Sequence, residues 1–217
     1  MKYVFVPALL EIFLILSYFF GPPWLRQIIS PDINREYGLL ENLQVVLLLI
    51  TIILLGRAVL REKTSAERII LAIFLVMGIF LVLEEIDYGL HYYRLMVGRL
   101  QDTSYINIHN IGNNTSLIKL ISDIGMILLF VVAPCLMVKS GRPLIRYLRP
   151  SCYFILSMIV MFVLSKFAHY LNDSTALTGS LSNSISEFRE LFVYYIFLIY
   201  IYDLIHRRLE QPGLSLG

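Results

Sequence analysis

Six stretches of this chain are apolar for about the length an α-helix needs to cross a hydrocarbon layer: residues 3–20, 38–58, 69–93, 117–138, 152–171 and 187–206. Inside such a layer no water is available to main-chain N–H and C=O groups, so runs of this kind are confined to helices that satisfy themselves. Composition agrees, with 58% hydrophobic and 16% charged residues, where a soluble domain carries roughly 25% charge. The mean hydropathy is +0.73. The expectation is an all-α integral membrane protein with about six transmembrane helices, forming one polytopic domain over residues 1–217. The first run reads as a span rather than a signal peptide, because it is long, carries Glu11 and is followed by Gly21-Pro22-Pro23-Trp24 instead of a small-x-small cleavage site.

The connections set an orientation. Arg57, Arg61, Lys63 and Arg68 join the second run to the third, and Lys139, Arg142, Arg146 and Arg149 join the fourth to the fifth. Arg207 and Arg208 follow the sixth, whereas two of the remaining connections are polar and poor in Lys and Arg. By the positive-inside rule both termini are cytoplasmic, and the polar loops face outward. A bacterial inner membrane is the expected location, with the polar side toward the periplasm or exterior. Trp24 has the position of an interfacial anchor, residues 25–37 suggest a short interfacial helix interrupted by Pro31, and Ser186 has the position of an N-cap. Cys135 and Cys152 fall near the cytoplasmic side and form no CxxC pattern, so no disulfide framework is implied.

Against this apolar background one stretch stands out, Leu83 to Arg94, reading LEEIDYGLHYYR. If the third helix runs through it, Glu85 lies only about 24 Å beyond Ile69, within a hydrocarbon layer of roughly 30 Å. Glu84, Asp87 and His91 then share one face, with Glu85 to the side. Ionisable groups at such depth are costly and mark function by default. The topology places further polar groups in the same outer layer: Glu41 and Gln44 in the second run, Asp123 in the fourth, His169 in the fifth, Glu187 and Glu190 in the sixth, and His109 with Asn110 in the following loop. Local ion pairing with Arg94, Lys119, Lys166 or Arg189 is the bland alternative. Glu11 reads as a hydrogen-bonding partner of a neighbouring helix, and the tyrosines at 88, 92, 93, 170, 194 and 195 as belt and packing residues.

Two chemistries fit an outer site of carboxylates and imidazoles. In the first, Glu84 with His91 and Glu187 with Glu190 hold a divalent metal such as zinc, iron or manganese, although neither Glu-x-x-His nor His-Glu-x-x-His occurs. In the second, adjacent carboxyls work without metal, one as acid and one as base, with Glu84, Glu85, His91 and His109 as catalytic candidates. Glu41, Asp87, Asn110, Asp123 and His169 are then candidates for binding substrate or ligand. The Glu-Glu dipeptide near an outer histidine resembles in outline the membrane-embedded glutamate proteases of the CAAX-processing type. The chain departs from their pattern at Gly89, where they carry Arg, and at Ser165, where an FxxxH partner needs Phe. No GxSxG or phosphate-binding glycine loop occurs, and the basic loops need no nucleic acid to explain them. The expected function is a hydrolase or transferase acting on lipid-linked or membrane-proximal substrates. The alternative is a non-catalytic ligand-binding or sensing subunit of a membrane complex. Expected partners are membrane lipids, a lipid-linked substrate, and a membrane-protein complex or second copy.

Overall fold

A computed structural model describes residues 4–31, 37–62, 65–98, 147–174 and 181–210. These residues are helical, with no strand among them: α1 (Phe5–Phe20), α2 (Pro23–Ile29), α3 (Leu39–Arg61), α4 (Ser65–Glu85), a 3-10 turn (Asp87–Gly89), α5 (Leu90–Val97), α6 (Cys152–Ser174) and α7 (Leu181–Glu210).

Local chemistry sets the breaks. The chain leaves α1 at Gly21, where a Cβ would lie 2.1 Å from the Ser17 carbonyl oxygen. Pro22 and Pro23 then prevent continuation, and Pro23 starts α2, where its missing N–H costs nothing. The short helix therefore begins earlier than the expected 25–37 and ends before Pro31. α3 and α4 form an antiparallel hairpin, and the Arg68 guanidinium returns to the Glu62 carbonyl at its turn, with Nε at 3.0 Å. α7 starts at Leu181, so Ser186 is an interior helical residue and not the expected N-cap.

α3 packs between α4 and α7, while α6 packs on α7 and α1. Leu48 and Leu55 of α3, Leu71 of α4, and Phe197, Ile201 and Leu204 of α7 form one core. Tyr200 anchors the end of this core, donating its hydroxyl to the Leu148 carbonyl at 2.8 Å. A second core joins Leu14, Ile15 and Tyr18 of α1 to Ile29, Leu40, Leu171 and Phe188. Tyr18 meets Phe188 edge-on, with ring centroids 5.7 Å apart. The outward faces are also apolar, including Phe13 on α1, Ile53 on α3, Val76 on α4 and Ile159 on α6.

The expectation of six spanning helices receives narrower support. Among the described residues one helix, Leu39–Arg61, is long and apolar enough to cross a membrane. Glu67–Glu85 with Asp87–Val97 would make a second if taken as one span bent by 59°. α1, with 16 residues, and the apolar part of α6, Cys152–Met161, are shorter. α7 interrupts its apolar character with Glu187, Arg189, Glu190 and Asp203. Residues 117–138, with Asp123 and Pro134, lie outside the described residues.

Candidate functional site

The antiparallel α3–α4 hairpin brings the start of α3 beside the end of α4, and α7 packs on α3 and reaches the end of α4 through Tyr194. Charged residues at the ends of apolar runs thus arrive in one layer. The Glu41 carboxyl of α3 neighbours that of Glu187 on α7, where Gln44, one turn from Glu41, is hydrogen-bonded to Glu187. Glu85 of α4 and Glu190 of α7 lie close enough to act on Glu41 electrostatically. All four carboxyls are partly buried. Neighbouring carboxyl groups out of water repel when both are ionised, and a proton held between two of them relieves that repulsion.

Gln44, one turn beyond Glu41, has no exposed surface. Its Nε2 donates to the Glu187 main-chain carbonyl at 3.0 Å and to Glu187 Oε2 at 3.2 Å. Its buried Oε1 meets no hydrogen-bond partner among the described residues. Tyr194 donates its hydroxyl to Glu85 Oε1 across the α4–α7 interface. Glu187, Glu190 and Tyr194 share a helical face, being spaced i, i+3 and i+7. Glu190 also lies 3.9 Å from the exposed Arg189 guanidinium.

The expected single helix through Leu83–Arg94 does not form. α4 ends at Glu85, and Asp87, Tyr88 and Gly89 have φ of 50°, 53° and 89°. Three consecutive residues in the left-handed region reverse the helical phase, so the i, i+3, i+7 face of Glu84, Asp87 and His91 is lost. The two adjacent glutamates instead diverge. Glu85 turns inward to Tyr194, and Glu84 accepts a hydrogen bond from the exposed Tyr88 hydroxyl. Asp87 is fully buried in the bend, as is Arg94, 4% exposed, on α5.

The metal assignment receives no support among the described residues. Among the described residues no group of three or more His, Cys, Asp or Glu side chains is placed to hold a metal ion. Glu84 points away at the bend, and Glu187 is taken up by Glu41 and Gln44. His91 lies on α5 and His169 on α6, but their side chains are outside the described set, as are His109, Asn110 and Asp123 altogether. Glu41, Glu85, Glu187 and Glu190 are therefore the sequence candidates that come together. Tyr194 and Gln44 are the polar neighbours not singled out as site residues. Their signal was spacing: Tyr194 follows Glu190 by one turn, and Gln44 follows Glu41 by three residues.

No protein-family model matches the chain, and comparison with curated proteins and with solved structures finds no match.

Proposed function

We propose that this chain is a membrane-embedded hydrolase or transferase that uses a metal-free carboxyl pair on lipid-linked or membrane-proximal substrates. The observation that carries the reading is that Gln44, one turn from Glu41 on α3, is hydrogen-bonded to Glu187 on α7, which sets the two carboxyls of different helices side by side. In such a pair one member is poised to donate a proton and the other to accept one, the division of labour that acid–base catalysis requires. Gln44 holds Glu187 from below through two hydrogen bonds, and its free Oε1 offers an acceptor for a substrate N–H or O–H. Glu85, oriented by Tyr194, sets a further carboxyl beside the pair, a neighbourhood that favours an electron-poor or cationic group opposite it.

Support for the membrane setting comes from the apolar α3 helix and from the apolar outward faces of α1, α3, α4 and α6. A six-span arrangement with both termini cytoplasmic, in a bacterial inner membrane with the site facing outward, remains part of this proposal and rests on the charge of the loops.

The test is turnover by purified protein in lipid nanodiscs, across a panel of lipid-linked esters, phosphodiesters and peptides, for wild type, Glu41→Gln and Glu187→Gln. The proposal expects both variants to lose roughly 100-fold or more in rate while remaining folded. Turnover unchanged in both variants refutes it. A second reading, a subunit that binds a cationic ligand, draws on the four neighbouring carboxyls. Saturable cation binding without turnover of any substrate would favour that reading.

A further inference from the structure

Glu11 has a setting unlike the other acids. It lies near the middle of α1, is 4% exposed, and has no hydrogen-bond or ion-pair partner among the described residues. The expected hydrogen bond to a neighbouring helix is thus not made there. Its side chain instead lines a cavity of about 110 Å³ where α1 meets α3 and α7. The rest of the lining is Pro7 and leucines, including Leu43 and Leu47, together with the aromatic side chains of Phe192 and Tyr195.

A carboxylate at the wall of an otherwise apolar chamber is unstable unless it takes up a proton or meets a counter-charge, because burial removes the water that solvates it. A hydrated inorganic ion is a poor solution, since the leucines and Pro7 offer nothing in place of its water shell. An organic ammonium ion suits every part of the lining. Its N–H groups meet the carboxylate, its methylenes meet the leucines, and aromatic rings favour a nearby cation. An engineered cavity of about 150 Å³ holds benzene, so the smaller chamber has room for roughly five non-hydrogen atoms.

The geometry points to the Glu11 chamber as a binding site for a small primary aliphatic ammonium ion. The site is separate from the Glu41–Glu187 pair, since neither Glu41 nor Glu187 lines it, and it does not depend on the activity proposed for the pair.

The test is calorimetric titration of the full chain in nanodiscs of phosphatidylglycerol, a lipid without an amine, using n-butylammonium chloride and, as its neutral counterpart, 1-butanol. The expected result is saturable one-to-one binding of butylammonium, with butanol at least about tenfold weaker, and a similar loss for Glu11→Gln. Leu43→Phe, which fills the chamber and leaves the carboxyl in place, is expected to abolish binding. Absence of saturable butylammonium binding in wild type overturns the proposal. Equal affinity for butanol also overturns it, since the chamber would then be only an apolar void. Affinity retained in Glu11→Gln has the same consequence. Should Glu11→Gln not fold, the comparison of the two ligands on wild type and Leu43→Phe decides.

Discussion

Gln44, enclosed on α3, donates its amide to both the main-chain carbonyl of Glu187 at 3.0 Å and the carboxylate of the same residue at 3.2 Å. One side chain thus fixes the position of a helix and the direction of its acid. The proximity of Glu41 follows from that placement, because Glu41 and Gln44 are neighbours on the same helical face.

Replacing Gln44 by Leu removes two hydrogen bonds to Glu187 and leaves its carboxyl short of a donor. A loss of about 1–3 kcal/mol in stability is expected. Gln44→Glu is expected to be worse, since it adds a third carboxyl to the pair. Thermal unfolding followed by circular dichroism in detergent orders the three proteins: wild type, Gln44→Leu, Gln44→Glu. A Gln44→Glu protein as stable as wild type contradicts the arrangement.

Tyr194 and Glu85 join α7 to the end of α4. Tyr194→Phe and Glu85→Gln each break that link, and the double variant should cost less than the sum of the two. The coupling in a double-mutant cycle is expected at about 1–3 kcal/mol, as for a hydrogen bond to a charged group. Strict additivity would show that the two side chains do not meet.

Gly89 has φ of 89°, and a Cβ placed there would touch nothing within 4 Å. Any effect of Gly89→Ala is therefore conformational and not steric. The variant should lose about 1–2 kcal/mol, and Gly89→Asn less, because asparagine tolerates the left-handed region better. Equal stability of all three proteins would be evidence for a continuous helix through the bend.

Tyr147 lies between the described helices, outside the candidate spans, and burial pushes its hydroxyl up to about 12, with the Glu62 carboxylate adding to the effect. The folded chain therefore resists ionisation of this group more than the unfolded chain does. Its contribution to stability is fully present below the ordinary tyrosine value of about 10 and is lost as pH rises from about 10 to about 12. Tyr147→Phe carries no such loss. The stability difference between wild type and variant, measured by chemical unfolding at pH 9 and pH 11.5 or so, should shift in favour of the variant at the higher pH.

The layer of acids was legible because an antiparallel hairpin of two apolar helices must bring the first turn of one beside the last turn of the other. Glu41 and Glu85 obey that rule. The fate of Glu84 was not legible. Periodicity extends the third run smoothly to residue 93, and only the Asp87-Tyr88-Gly89 sequence hints that the main chain turns left-handed there. Tyrosine is rarely found in that region, so pattern alone favours the helix. A tyrosine on an apolar helix usually serves packing, yet the Tyr194 hydroxyl has a carboxyl partner on another helix. For Glu11 the sequence suggests a hydrogen bond to a neighbouring helix, none is made among the described residues, and the chamber beside it is a property of three-dimensional packing that no spacing encodes.

Bringing residues 41 and 187 together is the step on which the account depends. In a protein lacking Cys135 and Cys152, the pair Glu41→Cys with Glu187→Cys can be treated with a short bis-thiosulfonate reagent, and cross-linked peptides identified by mass spectrometry. The pair Glu41→Cys with His206→Cys, at the far end of α7, serves as the control. The account predicts efficient cross-linking of 41 to 187 and none of 41 to 206. Cross-linking of 41 to 187 no greater than that of the control pair would contradict it.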